Sequence, residues 1–152
     1  MTLRELLAGL AAAPDLPVTG IRCDSRLVRP GDCFVAVTGH KDDGTRHLPE
    51  ALARGAVAVV GERRPAGASI PLILVPDSRR ALSLMAARFH GDPSRALEVV
   101  GITGTKGKTT TSYFLESILA LSGRRTGVVG TVTYRWPGVC RRARSSRCRS
   151  RT

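Results

Sequence analysis

The sequence predicts an α/β protein, with a small α/β domain followed by the truncated start of a second domain built on a parallel sheet. Two observations predict this fold. Short apolar runs rich in strand formers alternate with amphipathic stretches of helical spacing. A glycine-containing loop then joins one apolar run to a long helical pattern near residue 104, which is how a parallel βα unit begins. The length of 152 residues suits one small domain and the opening of another.

The first elements of the chain are predicted from a leucine stripe and an apolar run. Thr2 and Glu5 have the spacing of a capping box, so a helix is expected over about residues 3–12, ended by Pro14. An apolar run at residues 33–37 then predicts a strand. The leucine stripe and the apolar run at 33–37 both indicate side chains packed in a hydrophobic core.

The middle of the first domain continues the alternation of strands and helices. A polar loop over residues 38–46 follows the first strand, and a short helix is expected at 48–54. Residues 56–60 and 72–75 are apolar runs typical of buried strands. Asp77 is the expected N-cap of the next helix. The apolar side chains of that helix recur at the amphipathic interval: Leu82, Met85, Ala86 and Phe89.

A turn-forming segment at residues 91–95 marks the expected domain boundary. The first domain is therefore placed at residues 1–96 and the start of the second at 97–137. The pattern of the second domain predicts a strand at 97–102, a loop at 103–107, a helix at 108–121 and a strand opened by Val128 and Val129.

The net charge of +12 suggests nucleic-acid binding until its location is considered, because six arginines lie in residues 138–152. Without them the balance is 18 basic minus 12 acidic residues, or +6, with little aromatic interleaving. A surface in contact with solvent is favoured over a nucleic-acid groove. Residues 138–152 lack hydrophobic periodicity, so we expect a disordered tail that is either natural or the product of a frameshift.

The chain is expected to be cytoplasmic and not membrane-bound. The N-terminus has no signal-peptide cleavage pattern, and no apolar run approaches the ~20 residues of a membrane span. The cysteines have neither C-x-x-C spacing nor a histidine at metal-ligand spacing, which favours structural or incidental thiols: Cys23, Cys33, Cys140 and Cys148.

The loop before the long helix has the residue types of a phosphate-binding P-loop. Gly104 and Gly107 allow backbone N–H groups to converge on an anion. Lys108 can reach the β- and γ-phosphates of ATP, and the Thr109 hydroxyl can hold Mg²⁺. The alternative is a glycine turn with a fortuitous Gly-Lys-Thr, because Ile102 stands where the strict motif has glycine. The predicted ATP-binding residues are Gly104, Thr105, Lys106, Gly107, Lys108, Thr109 and Thr110.

The segment 101–111, Gly-Ile-Thr-Gly-Thr-Lys-Gly-Lys-Thr-Thr-Thr, resembles the ATP loop of the Mur ligase family and its folylpolyglutamate synthetase relatives. Several upstream segments resemble the N-terminal domain of the Mur ligases that add the third or last peptide unit to UDP-MurNAc: Asp24-Ser25-Arg26, Pro30-Gly31-Asp32, Phe34-Val35-Ala36, Asp43-Gly44 and Gly55-Ala56. Three features are more similar to the branch that adds the third unit: His40 after Gly39, the run Thr109–Thr111 and the segment 127–134. The resemblance spans residues 1 to about 137.

The resemblance implies two binding regions. Cys23 and Ser25, together with His40, Lys41 and Asp42, would contact the UDP end of the substrate. A polar loop and a hydroxyl at strand ends can orient a nucleotide. Considered without the resemblance, residues 24–26 indicate a turn with a local ion pair, and a lone loop histidine is usually just solvated.

The resemblance also implies a reaction. The γ-phosphoryl group of ATP would pass to a carboxylate of UDP-MurNAc-dipeptide, and the acyl phosphate would be attacked by an amino acid, diaminopimelate or lysine. Lys108 would be catalytic. Other groups that the family requires would lie past residue 152, so we expect a monomeric N-terminal fragment that is inactive alone. The alternatives are a fragment of a ligase adding the last unit, a non-catalytic nucleotide-binding module, or the product of a broken reading frame.

Overall fold

The computed structural model describes residues 1–39, 43–64, 70–130 and 132–142. The chain divides into two compact units, Met1–Glu98 and Val99–Thr152. The α/β fold class is confirmed, because the first unit contains a four-stranded parallel sheet with helices. Among the helices of the described ranges, none has both the length and the apolar character needed to cross a membrane.

The sheet of the first unit has its strands in chain order. The strands are β1 Gly20–Arg22, β2 Asp32–Ala36, β3 Ala58–Gly61 and β4 Leu72–Leu74. The predicted strands at 33–37, 56–60 and 72–75 correspond to β2, β3 and β4, whereas β1 was not predicted. All residues of β2 and β3 are buried, as expected for central parallel strands with both faces covered.

Both faces of the sheet carry apolar side chains, because successive residues of a strand point to opposite faces. Cys33 and Val35 of β2 belong to one buried cluster, and Phe34 and Ala36 belong to the other. The first cluster also contains residues of the N-terminal helix and of the helix after β4: Leu3, Leu6, Ala81 and Met85. The second contains Leu48 and Ala51 of the helix after β2.

The N-terminal helix α1, Leu3–Leu6, has the predicted capping box. The Thr2 hydroxyl accepts a hydrogen bond from the Glu5 N–H at 3.4 Å, and Glu5 Oε2 accepts one from the Thr2 N–H at 2.7 Å. The helix is shorter than the predicted 3–12. Gly9 has a φ of +73°, which a right-handed helix does not accommodate.

Helices α2, Leu48–Ala53, and α3, Ser78–Phe89, agree with their predictions. Asp77 caps α3 as expected, since its Oδ1 accepts a hydrogen bond from the Arg80 N–H at 2.9 Å. The residue after the helix's C-cap, Gly91, has a φ of +74°. A helix commonly ends at such a glycine.

The second unit contains helix α4, Lys108–Leu121, and an antiparallel sheet of β5 Val128–Val129, β6 Thr133–Trp136 and β7 Val139–Arg142. Helix α4 and strand β5 confirm the elements predicted there. The parallel sheet expected for this domain differs from the strands that the structure describes, because β5 pairs antiparallel with β6. The strand predicted at 97–102 is wrong, because those residues have no regular structure. A strand needs hydrogen bonds from a neighbour, and no described strand pairs with this segment.

Strand β7 differs from the expected unstructured tail at residues 138–152. Gly138, with a φ of +78°, lies in the turn between β6 and β7, and the backbone of Val139 pairs with that of Trp136. Backbone pairing across a short turn does not require hydrophobic periodicity, so the sequence pattern missed it. The rest of the tail, 143–152, lies outside the described residues.

Candidate functional site

The predicted phosphate loop, residues 104–110, leads into the first turn of α4 and is shaped by two glycines. Gly104 has a φ of +147° and Gly107 a φ of +79°, both in the region that favours glycine. A Cβ built on Gly107 would meet nothing within 4 Å, so the backbone conformation, and not crowding, requires glycine there. Gly107 is also the N-cap of α4, and no side chain caps that helix.

The start of α4 presents backbone donors. The first backbone bond of the helix runs from the Thr111 N–H to the Gly107 carbonyl oxygen at 2.9 Å. The N–H groups of the preceding turn have no intrahelical acceptor and carry the positive end of the helix dipole. Such a terminus is suited to bind an anion such as a phosphate.

The predicted ATP-binding residues lie together on this loop and first turn, and all of residues 104–110 are exposed. The Lys108 ammonium donates a hydrogen bond to the Gly104 carbonyl oxygen, so the lysine folds back over the loop. Thr109 and Thr110 lie in the first turn of the helix. The structure thus brings the glycines, the lysine and the threonines to one surface.

An ion pair supports α4 from the antiparallel sheet. Arg135 of β6 donates to Glu116 Oε2 through Nη2 at 2.7 Å and Nε at 3.1 Å. Its guanidinium also lies 3.8 Å from the centroid of the Tyr113 ring. The hydrogen bond to Glu116 raises the pKa of Arg135. These contacts fix the helix, while the phosphate loop depends on its own backbone.

The predicted UDP-contacting residues of the first unit follow β1. The carboxyl ends of parallel strands form the usual ligand edge of an α/β sheet. Cys23 is exposed, whereas Ser25 is buried and its Oγ donates a hydrogen bond to Glu50 Oε2 at 2.6 Å. That bond lowers the pKa of the Glu50 carboxyl. The hydroxyl proton of Ser25 is therefore engaged, and its oxygen lone pairs remain to accept a donor.

The neighbouring Asp24 and Arg26 form the local ion pair that the sequence left open as an alternative. Asp24 Oδ2 and Arg26 Nη2 are 2.7 Å apart, and Asp24 Oδ1 accepts a hydrogen bond from the Arg26 N–H at 3.1 Å. The Arg26 side chain, as a hydrogen-bond donor, lowers the pKa of the Asp24 carboxyl. This ion pair therefore stabilises the turn that contains Ser25.

The second predicted UDP segment follows β2. His40, Lys41 and Asp42 lie outside the described residues. Thr38 and Asp43 on either side form an antiparallel bridge, and the Gly44 N–H donates to the Val37 carbonyl oxygen at 3.1 Å. Both ends of this segment therefore lie at the carboxyl edge of the sheet.

The sequence pattern did not indicate two carboxylates at this edge, Glu50 and Glu62. Glu50 receives the Ser25 hydroxyl, and Glu62 receives hydrogen bonds from the backbone N–H and the hydroxyl of Ser78. These partners are 25 and 16 residues apart in the chain, so no local spacing could have indicated them. Among the residues that the structure describes, no group of three or more His, Cys, Asp or Glu side chains could hold a metal ion.

The geometry of 104–111 is that of a glycine loop opening onto a helix N-terminus, the class of site that binds phosphate groups. Two family models match the chain. The model "Mur ligase family, catalytic domain" matches residues 17–90, and "Mur ligase middle domain" matches residues 102–148. The chain belongs to the Mur ligase family.

Among curated relatives, the chain is 45% identical over 136 residues to a UDP-N-acetylmuramoyl-L-alanyl-D-glutamate--2,6-diaminopimelate ligase of Pseudomonas aeruginosa. That match covers 87% of this chain and 28% of the relative, so the chain spans little more than a quarter of the relative's length.

Similar solved structures include the following two. A UDP-N-acetylmuramoyl-L-alanyl-D-glutamate--2,6-diaminopimelate ligase matches with a TM-score of 0.72 and 28% identity, covering 91% of this chain and 29% of its own. The MurF ligase of Thermotoga maritima in complex with ADP matches with a TM-score of 0.52 and 35% identity, covering 75% and 26%.

Proposed function

We propose that this chain is part of an ATP-dependent ligase that joins 2,6-diaminopimelate to UDP-MurNAc-L-Ala-D-Glu in the cytoplasm. The observation that carries the proposal is the phosphate loop of 104–110, on the same chain as an α/β unit matched by a Mur ligase model. The first unit binds the UDP-linked substrate and the loop binds ATP. The proposed domains are residues 1–96 and 97–137.

ATP would supply the γ-phosphoryl group that activates the substrate carboxylate as an acyl phosphate, with ADP as the leaving group, and the incoming amine would then displace phosphate to form the amide. In this chain, the N–H groups at the start of α4 hold the phosphate oxygens. When ATP binds, Lys108 gives up its hydrogen bond to the Gly104 carbonyl and contacts the β- and γ-phosphates instead. There its positive charge offsets the negative charge that develops during phosphoryl transfer.

The donor set of this loop also fits Mg²⁺ bound together with ATP. Thr109 lies in the first turn of α4 and is exposed, as a hydroxyl ligand of such an ion must be. Mg²⁺ commonly takes one or two protein oxygens and completes its shell with phosphates and water. Thr109 would supply the protein oxygen.

At the sheet edge, Cys23 and Ser25, with His40, Lys41 and Asp42, contact the UDP end of the substrate. The support is their placement after β1 and β2, since ligands of parallel sheets bind at the carboxyl ends of strands. Ser25 offers an acceptor because its hydroxyl proton is already donated in the hydrogen bond to Glu50, which leaves the oxygen lone pairs for the substrate.

Diaminopimelate is proposed as the incoming amino acid because the Pseudomonas aeruginosa relative and one similar solved structure are named diaminopimelate ligases. The match to the MurF ligase structure supports the alternative, a ligase that adds the last unit. The identity of 45% to the Pseudomonas aeruginosa ligase, against 35% to the MurF structure, favours the former.

Isothermal titration of the purified chain tests the two binding sites separately. We expect UDP-MurNAc-L-Ala-D-Glu to bind wild type and Lys108→Ala equally, and Mg-ATP to bind wild type only. UDP-MurNAc-tripeptide, the substrate of the last-unit branch, should bind more weakly than the dipeptide. No heat from either UDP-linked ligand at millimolar concentration would reject the substrate assignment, and tighter binding of the tripeptide would favour the alternative.

A further inference from the structure

Glu62 lies at the carboxyl edge of the sheet, directly after the last residue of β3. Its Oε1 accepts two hydrogen bonds from Ser78, one from the backbone N–H at 2.9 Å and one from the hydroxyl at 2.7 Å. Ser78 is the first residue of α3 and is fully buried. The carboxylate therefore ties the end of β3 to the start of α3.

The contact continues to the end of β2. Ser78 Oγ accepts a hydrogen bond from the Thr38 N–H at 3.2 Å. A serine hydroxyl has one proton, and here the hydroxyl donates it in the hydrogen bond to Glu62. The oxygen lone pairs therefore face the Thr38 N–H. Glu62 thus sets the direction of the whole chain of hydrogen bonds, Thr38 to Ser78 to Glu62.

Glu62 remains ionised in this arrangement. The backbone N–H of Ser78, followed by its hydroxyl, holds the pKa of the Glu62 carboxyl below its usual value, and a side-chain hydrogen bond from Thr38 contributes. Hydrogen bonds to an ionised acceptor are stronger than neutral ones. The ionised carboxylate is well suited to hold both partners.

Thr38 begins the segment that ends at Asp43. These two residues form a backbone bridge, and Gly44 packs so closely that a Cβ there would lie 2.7 Å from the Val37 nitrogen. The two ends of the segment are therefore joined to each other, and fixing Thr38 fixes both.

We propose that Glu62 is a positioning residue for the UDP-linked substrate: through Ser78 and Thr38 it holds the ends of the 38–43 segment at the sheet edge. This inference rests on the proposed function of the first unit. The proposed role of Glu62 depends on its hydrogen bonds to Ser78 and not on a contact with the substrate.

The simpler role for Glu62 would be to stabilise α3, whose N-terminus it approaches. Asp77 provides a matched control for that role, because its carboxylate caps the same helix through the Arg80 N–H at 2.9 Å. No described hydrogen bond joins Asp77 to Thr38. Removing Asp77 weakens the helix start and leaves the contact of Ser78 with Thr38 in place.

The test measures the Kd of UDP-MurNAc-L-Ala-D-Glu by isothermal titration, and Tm by calorimetry, on the full chain. Glu62→Ala and Ser78→Ala are expected to bind about tenfold more weakly, because each loses one charge-assisted or buried hydrogen bond. Glu62→Gln keeps an Oε1 that accepts both bonds from Ser78, so it should recover most of the affinity. Asp77→Ala should lower Tm and keep Kd within about twofold of wild type.

Two outcomes overturn the inference while leaving the proposed function intact. One is a Glu62→Ala chain that binds as tightly as wild type. The other is an Asp77→Ala chain that loses as much affinity as Glu62→Ala at an equal loss of Tm, which reduces Glu62 to a helix-stabilising role. A wild-type chain that does not bind the substrate would reject both the proposed function and the inference.

Discussion

The two units of the chain differ in how their apolar residues are used. In Met1–Glu98, both faces of the sheet are buried, and Phe34 is only 1% exposed. In Val99–Thr152, helix α4 has no buried residue, and Phe114, Ile118 and Leu121 are 67, 63 and 90% exposed.

This difference shows that the two candidate sites depend on different forces. The carboxyl edge of the sheet in the first unit, the proposed substrate site, is held by long-range contacts, such as the hydrogen bond between Ser25 and Glu50 and that between Glu62 and Ser78. The phosphate loop is held by local backbone geometry at Gly104 and Gly107. The first site should therefore respond to core mutations, and the second to changes within the loop.

The largest effect is expected from Lys108→Ala in an active enzyme. A suitable enzyme is a chimera in which residues 1–137 of this chain replace the matching segment of the Pseudomonas aeruginosa relative. Loss of the ammonium should cost about 4 kcal/mol in the transition state, roughly a thousandfold in kcat/KM. Steady-state assays of ADP release measure this. Lys106→Ala, which removes a neighbouring charge of the same loop, should have the smaller effect, and full activity of Lys108→Ala would reject its catalytic role.

The next effect distinguishes the two units by stability. Phe34→Ala should lower the free energy of unfolding of the first unit by about 3–4 kcal/mol, because it leaves a cavity in a buried cluster. Phe114→Ala should change stability by less than about 0.5 kcal/mol, because that side chain is exposed. Urea unfolding of the chain measures both. Equal losses of unfolding free energy in the two variants would show that Phe114 is buried in solution, and the two units would then not differ in this respect.

A smaller effect is expected from pH. Burial, with a contribution from Asp32, raises the pKa of the Cys33 thiol from 9.0 to about 12. The unfolded chain ionises its thiol at lower pH than the folded chain. The stability that Cys33 provides is therefore complete below about pH 9 and is lost as the pH rises from 9 to about 12.

At pH 10, one unit above its ordinary pKa, ionisation of this group in the unfolded chain should lower the free energy of unfolding of the first unit by on the order of 1 kcal/mol. Urea unfolding at pH 8 and pH 10 measures the loss. Cys33→Ala is the control, since it removes the ionisable group and should flatten the pH dependence by that amount. An unchanged slope in the variant would mean that other groups cause the loss.

Elements with a local signal could be predicted from the sequence. The capping box of Thr2 and Glu5, the Asp77 cap and the start of α4 after Gly107 each depend on residues within one turn. The strand expected at 97–102 could not be judged in this way. The sequence does contain an apolar run there, but a strand forms only when another strand supplies hydrogen bonds.

The candidate site shows the same division. The phosphate loop is continuous in sequence, so its residue types and spacing indicated it directly. The proposed substrate site at the carboxyl edge of the sheet is assembled from residues that only the fold brings together: Ser25, Thr38, Glu50, Glu62 and Ser78. The roles of Glu50 and Glu62 therefore required the structure.

The central claim is that the two units of this chain serve one ligase reaction, and the unmutated chimera tests it most directly. Incubated with Mg-ATP, UDP-MurNAc-L-Ala-D-Glu and 2,6-diaminopimelate, it should form UDP-MurNAc-tripeptide within about tenfold of the relative's own rate, because the segment exchanged is 45% identical. A chimera that unfolds cooperatively and binds both nucleotides, yet forms no tripeptide, would contradict the account.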